Sequence, residues 1–229
     1  MIKKKKFAIL IPARKGSKTI KNKNTIKIGK KKLIEYTFSE IPKNLLKNTY
    51  VLSNDTKVKR IAEKYKINNL YIRPDPLSKD NTSLGETIFG FHNWIENKQR
   101  YDFYVILQPT SPLRKKRDIV KAINTYKLSN SLTHFSVSES MEHPYEAVFL
   151  NKKKLNLFFN KAKNFYRRQD FDRESYFING AIYITHSNFI KKYKKIFSFK
   201  SLSFNIMDKK NSLDLNDKQE LYMINKILK

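Results

Sequence analysis

Short apolar runs, each closed by a proline or a polar loop and then followed by a helix-spaced segment, recur through the first half of this chain. That alternation is its strongest constraint on fold. Phe7 to Ile11 is the first run, ended by Pro12, and Leu33 to Ile41 carries helix-spaced apolar residues that stop at Pro42. Thr49 to Leu52 reads as a second strand, with Asn54-Asp55 capping a helix from Val58 to Tyr65 whose Ile61 and Ala62 point inward. Asn69 to Ile72 predicts a third strand before the turn-rich Arg73-Pro-Asp-Pro76. A helix opening after Ser83 keeps Leu84, Ile88, Phe91 and Ile95 on one side, and Tyr101 to Leu107 is the most convincing buried strand. Strand, loop and helix in repetition predict an α/β fold, with a mostly parallel central sheet and helices on both faces. Ligands of such sheets bind beyond the carboxyl ends of the strands.

The second half changes character. Thr133 to Val137 and Ala181 to Thr185 read as strands, but Glu142 to Phe177 between them is irregular, aromatic and charged, as an insertion serving a partner subunit would be. Asp217 to Leu228 is amphipathic, with Leu221, Ile224, Ile227 and Leu228 on one side. At 229 residues, 40% of them hydrophobic, the chain is long enough for one sizeable core, and a single domain spanning 1–229 with an insertion at 142–178 is the expectation.

Cysteine is absent, which excludes disulfides, thiolate metal sites and cysteine nucleophiles; a bound metal would need oxygen or imidazole ligands, and magnesium fits that inventory. No window approaches a membrane span, and the apolar stretch after Lys6 is too short for a secretory signal, so a cytoplasmic location is expected. The net charge of +28 raises nucleic-acid binding as a class. Lysine is spread along the whole chain rather than gathered on one face, which favours a solvated basic surface over a dedicated nucleic-acid site.

Two loops carry the chemistry. The first, Pro12-Ala-Arg-Lys-Gly-Ser-Lys18 with Lys21-Asn-Lys-Asn24, sets a glycine, a hydroxyl and several cations just past a buried strand. A triphosphate needs such a set, although a basic surface turn has the same composition. It is neither a P-loop nor a dinucleotide fingerprint. The second, Leu107-Gln-Pro-Thr-Ser-Pro-Leu-Arg114, has two prolines that fix the backbone and present Gln108, Thr110, Ser111 and Arg114; a proline turn with Ser111 as a helix cap is the alternative.

Ile11-Pro-Ala-Arg-Lys-Gly-Ser-Lys18, ending in Lys23-Asn24, resembles the signature loop of the acylneuraminate cytidylyltransferases, the CMP-sialic acid synthetases. That family writes the loop Ile-Pro-Ala-Arg-Gly-Gly-Ser-Lys-Gly-Ile-Pro-x-Lys-Asn; here Lys15, Thr19 and Lys21 replace two glycines and the proline. The Gln108 to Arg114 run matches the family without substitution. Arg73 to Asp80 with Ser83 resembles the segment that contacts the cytosine nucleotide, and Ser136 to Pro144 resembles the entry to a dimer arm. Arg167 to Asp170 and Asn179 to Ile184 resemble the segments lining the sugar pocket. Ser212-Leu-Asp-Leu-Asn-Asp217 resembles a magnesium segment in which alternate carboxylates share a face, with Asn216 standing where the family has an aspartate. Capping of the terminal helix by Asp214 and Asp217 is the structural alternative.

The resemblance implies a Rossmann-like nucleotide-diphospho-sugar transferase fold and transfer of CMP from CTP to a nonulosonic acid of the sialic, legionaminic or pseudaminic type. It assigns Ala13, Arg14, Gly16, Ser17, Lys23, Asn24 and Ser83 to CTP, and Gln108, Thr110, Arg168 and Tyr183 to the sugar acid. Asp214 and Asn216 fall to Mg2+, with Arg14, Lys23 and Asp214 as the catalytic set and residues 142–178 as a homodimer arm. A cytidylyltransferase for the eight-carbon acid Kdo and a non-catalytic basic nucleic-acid-binding protein are the rival readings. His92, His134, His143 and Trp94 are expected to be structural, since no two histidines lie at metal-ligand spacing.

Overall fold

The computed structural model describes residues 5–17, 19–159, 167, 171 and 173–228. The elements in chain order are β1 (Phe7–Pro12), the short β2 (Lys27–Ile28) and β3 (Lys31–Lys32), α1 (Leu33–Ser39), β4 (Thr49–Leu52), α2 (Thr56–Lys64) and α3 (Leu84–Ile95). There follow β5 (Phe103–Leu107), α4 (Lys116–Leu128), β6 (Thr133–Glu139), the hairpin β7 (Val148–Asn151) and β8 (Lys154–Leu157), β9 (Tyr176–His186), α5 (Ser187–Tyr193), β10 (Leu202–Ile206) and α6 (Lys218–Leu228).

Six strands form the central sheet in the order β10-β6-β9-β5-β1-β4. β4, β1 and β5 run parallel to one another, as do β6 and β10, and β9 lies antiparallel between β5 and β6. The expected parallel sheet therefore holds one reversed strand. The strand expected at Ala181 to Thr185 is longer, because its first residues, Tyr176 to Ile178, continue the pairing with β6 past a register shift.

Period-two alternation separates two cores. Ile9 and Ile11 of β1 face one side with Phe103, Val105 and Leu107, under α1, α2 and α4. Ala8 and Leu10 face the other with Tyr104 and Ile106, under α3 and α5. A smaller cluster of Ile20, Ile28, Leu33, Leu215 and Ile224 ties the first loop to the C-terminal segment. Of the apolar stripe expected on α6, Ile224 is buried while Ile227 stays exposed.

The predicted third strand is not a strand. Asn68 and Ile72 each make one isolated bridge, to Tyr50 and Ser53 of the β4 edge, and Leu70 and Ile72 are exposed. Strand propensity at Asn69 to Ile72 is overridden because Leu70 and Ile72 gain no burial at that edge. The helix ends behave as expected: Asp55 accepts the Lys57 N–H at 2.9 Å, and Asp217 accepts the N–H groups of Gln219 and Glu220 at 2.8 and 2.9 Å. The histidines and Trp94 are structural. His92 and His134 are buried in hydrogen bonds to Tyr104 and to Ser203 and Asn205, Trp94 packs edge-on to Tyr71, and His143 stacks on Phe171.

Candidate active site

β1 and β5 are neighbours and parallel, so the loops that leave their carboxyl ends meet. They enclose a cleft of about 260 Å3 whose walls include Arg14, Gly16, Ser17, Lys23 and Asn24 from the first loop and Gln108 to Thr110 from the second. Two segments that are distant in sequence thereby become one site.

The first loop is held by polar contacts along its length. Gly16 has φ +79° with open space where a side chain would go, so glycine serves there for conformation rather than room. The Lys15 N–H donates to Asn54 Oδ1 at 2.8 Å, and Asn24 Nδ2 donates to the Arg14 carbonyl at 3.1 Å. Lys23 Nζ donates to the carbonyls of Leu215 and Asn216 at 2.9 and 3.5 Å, which draws the C-terminal segment to the cleft. Partial burial lowers the Lys23 pKa, while the charges of Asp214, Glu220 and Asp217 oppose that shift and Arg14 adds to it.

The second loop is held from beneath. Arg114, expected to be presented by the loop, is instead wholly buried, because its guanidinium donates to the carbonyls of Gln108 and Ala181 at 3.1 and 2.7 Å and to Thr37 Oγ1 at 2.8 Å. Burial pulls its pKa down to about 10, against the attraction of Asp118, Glu40 and Asp214. All three hydrogen bonds go to neutral oxygens, so the cation acts as a staple joining the start of the second loop, β9 and α1. Gln108 Nε2 donates to the carbonyl of Gly180, whose φ of +72° belongs to the irregular stretch where β9 changes register. Ser111 caps no helix, since α4 begins at Lys116; its hydroxyl donates instead to Asp214 Oδ1 at 3.4 Å.

Asp214 and Asn216 flank Leu215, whose side chain is fully buried and whose N–H donates to the Thr110 carbonyl at 2.8 Å. The extended segment thus turns its polar residues away from the core, with Asp214 beside Ser111. Among the described residues no group of three or more histidine, aspartate or glutamate side chains is placed to hold a metal. Magnesium suits such a sparse protein donor set, because it keeps waters and binds through one or two carboxylates plus substrate phosphates.

The remaining expected residues fall in different surroundings. Ala13 is buried, with its carbonyl accepting from Ser53 Oγ at 2.6 Å. Ser83 is the N-cap of α3, its hydroxyl accepting from the Glu86 N–H at 3.1 Å and donating to the Glu86 carboxylate at 2.8 Å, while its neighbours Thr82 and Leu84 line the cleft. Tyr183 lies on β9, nearly buried, stacked on Phe197, its pKa raised by burial first and Asp214 second. Arg168 lies outside the described residues.

Arg73, read in the sequence only as the start of the segment that resembles the cytosine-nucleotide contact and given no role of its own, also lines the cleft. Arg73 is 5% exposed, and its Nε and Nη2 both donate to the Leu77 carbonyl. Burial first and the Arg14 charge second lower its pKa to about 10, against Tyr71. An arginine between an extended segment and two prolines was the available signal. Opposite it, Arg14 pairs with Asp80 at 2.5 Å. Arg14, Arg73 and Lys23 together line a cleft that presents cations to whatever enters it.

Strand ends of mostly parallel α/β sheets are where such folds receive their ligands, and the cleft at these strand ends is lined by cations. The chain belongs to the cytidylyltransferase family, whose sequence profile matches residues 8–227. It is 30% identical over 217 residues to an N-acylneuraminate cytidylyltransferase of Escherichia coli O18:K1:H7, a match covering 94% of this chain and 50% of that protein. This chain thus spans about half the length of the N-acylneuraminate cytidylyltransferases it matches. It is 29% identical over 177 residues to a pseudaminic acid cytidylyltransferase of Campylobacter jejuni, covering 76% of this chain and 75% of the relative. The solved structure of a CMP:2-keto-3-deoxy-manno-octonic acid synthetase complexed with CTP superposes with a TM-score of 0.69 at 15% identity, covering 97% and 98% of the two chains. The nucleotidyltransferase fold, Rossmann-like with a mixed six-stranded sheet, is therefore the fold of this chain.

Proposed function

We propose that this chain transfers CMP from CTP to the anomeric hydroxyl of a nonulosonic acid of the sialic, legionaminic or pseudaminic acid type. The hydroxyl oxygen attacks the α-phosphorus as its proton is lost, the α–β phosphoanhydride bond breaks, and pyrophosphate leaves with the electron pair. The observation that carries this reading is the convergence of Arg14, Arg73 and Lys23 in one cleft with Gln108 and Thr110. Charge accumulates on phosphate oxygens along this path, so fixed cations and positioning supply most of the acceleration. Relatives whose names specify N-acylneuraminate and pseudaminic acid support the acceptor class.

In this reading Ala13, Arg14, Gly16, Ser17, Lys23 and Asn24 hold the triphosphate, with Arg73 beside them. Ser83 shapes the nucleotide end through its cap rather than through a free hydroxyl. Gln108, Thr110 and Tyr183, with Arg168, orient the sugar acid. Magnesium, when bound, neutralises charge on the phosphate oxygens, and Asp214 with Asn216 would hold it. Asn216 offers a neutral amide, so Asp214 provides the charge.

The acceptor end and the arm at 142–178 belong to one domain here. Leu150, Leu155, Phe158 and Phe177 are exposed on or beside the hairpin and β9, which supports a homodimer through this arm. Light scattering should give the mass of two chains at micromolar concentration; a monomer would remove the dimer from the account. Among the described residues no helix is long and apolar enough to cross a membrane, and a cytoplasmic location matches the supply of CTP.

The test is pyrophosphate release with CTP, Mg2+ and a panel of sialic, legionaminic and pseudaminic acids plus Kdo. Release with at least one nonulosonic acid and little with Kdo is expected. Release with Kdo alone would move the acceptor to the eight-carbon class. No release with any acid, together with salt-dependent RNA binding, would replace the enzyme by a nucleic-acid-binding protein.

A further inference from the structure

A second basic recess lies outside the cleft. Lys57, Arg60 and Lys64 of α2 stand at positions i, i+3 and i+7, so they share one helix face with the apolar Ile61 between them. Lys21 of the first loop and Lys32 of β3 stand opposite, and the recess between them measures about 630 Å3. None of the described residues that line it is acidic, and none of its five cations makes an ion pair among the described residues. Glu35 of α1 is engaged by the Lys32 N–H at 2.7 Å and by the Tyr65 hydroxyl at 3.3 Å, and Glu63 of α2 by Asn69 Nδ2 at 2.7 Å.

Like charges stacked on one helix face repel, and each pair costs a few tenths of a kcal/mol in isolated helices. Scattered surface lysines avoid that cost by spreading out. Here five cations converge on one concave space, and Ile61 beneath them, 6% exposed, gives the recess an apolar floor. Concave walls of one sign concentrate counter-ions of the other. A single carboxylate or sulfate would leave most of these cations unmatched, whereas a run of linked phosphates reaches several at once.

We propose that this recess is a second anion site, separate from the cleft, that takes a compact oligophosphate such as inorganic tripolyphosphate. The lysines contribute point charges and Arg60 a two-pronged contact to one phosphate. The site does not depend on the proposed CMP transfer, since none of Lys57, Arg60 and Lys64 lines the cleft.

Titration of the whole protein with tripolyphosphate by calorimetry, with and without saturating CTP, tests it. Two classes of site are expected without CTP and one with it, because CTP displaces only the cleft-bound anion. In a Lys57→Gln, Arg60→Gln, Lys64→Gln variant the CTP-insensitive site should weaken about tenfold or more, while the displaceable one is unchanged. Glutamine keeps helix propensity, and circular dichroism verifies that α2 remains. A Lys152→Gln, Lys153→Gln, Lys154→Gln variant removes the same charge from the exposed hairpin and should leave both sites intact. Complete displacement by CTP, or equal weakening in the two triple variants, would overturn the proposal; so would RNA binding that the α2 variant abolishes when tripolyphosphate binds nowhere outside the cleft.

Discussion

The two loops that form the cleft are built on opposite plans. The Gln108 to Arg114 loop is clamped from inside the protein by a buried guanidinium that bonds three neutral oxygens on three segments. The Arg14 to Asn24 loop is tied by half-exposed polar contacts and by Lys23 reaching carbonyls of the C-terminal segment. One wall is held by a buried clamp; the other carries its cations on a loop tied by partly exposed contacts. Under the proposed transfer that division would keep the acceptor positioned while the first loop exchanges a triphosphate for a pyrophosphate.

Removing the clamp should produce the largest effect. Arg114→Ala removes the shared donor of the Ala181 carbonyl and Thr37 Oγ1 and leaves the Gln108 carbonyl only the Ser111 N–H at 3.4 Å, and a loss of about 3 kcal/mol or more of folding stability is expected by urea denaturation. A variant with unchanged midpoint would show that the second loop does not depend on its staple. Arg14→Ala tests the other wall. Its ion pair with Asp80 is partly solvated, 31% and 42% exposed at the two side chains, so stability should change by less than about 0.5 kcal/mol. The kcat/KM for CTP should fall about a hundredfold, roughly 2.7 kcal/mol of lost transition-state stabilisation. Equal effects of the two substitutions on stability would erase the contrast between the loops.

That contrast was half legible in the sequence. The strand ends, the glycine and cations of the first loop, and the prolines of the second could all be read from local pattern, because strand burial and turn chemistry are local properties. The staple could not. Arg114 reads as a side chain the loop presents outward, and only the pairing of β9 antiparallel beside β5 brings the Ala181 carbonyl within its reach. The reversed strand was itself hidden, since Ile182 and Ile184 look the same in either direction. The hairpin of β7 and β8 escaped for a different reason: its turn places Lys152 and Lys153 at φ +43° and +67°, where asparagine and glycine are the usual signal. Arg73 was visible as a residue but not as a wall of the cleft, because its position depends on the segment after β4 folding back over the strand ends.

A smaller effect probes the C-terminal segment that bridges the loops. Asn216→Asp adds a carboxylate beside Asp214, and the magnesium concentration for half-maximal rate should fall severalfold, read from initial rates across a magnesium titration. An unchanged requirement would remove position 216 from the metal account.

The smallest expected effect comes from pH and concerns the frame beneath the clamped loop. His134 on β6 and His92 under β5 both have pKa values lowered below the ordinary 6.5, by burial first; Asn205 opposes the shift at His134, and Glu96 opposes it at His92 while Lys191 adds to it. The unfolded chain therefore binds more protons than the folded one as pH falls through 6.5 toward the folded pKa values. Stability present above 6.5 is lost in that window, and Tm should be lower at pH 5.5 than at pH 7.5. His134→Gln should flatten part of the dependence; a slope identical to the parent's would place the titration elsewhere.

The most direct measurement of the account follows the label from CTP carrying 32P at the α-phosphate through a single turnover with each nonulosonic acid. Label is expected to move into a CMP-sugar acid, with unlabelled pyrophosphate released, and Arg14→Ala should slow that transfer without unfolding the protein. Label that stays in CTP with every acid, or that is released as free CMP whether or not an acid is present, would contradict transfer at this cleft.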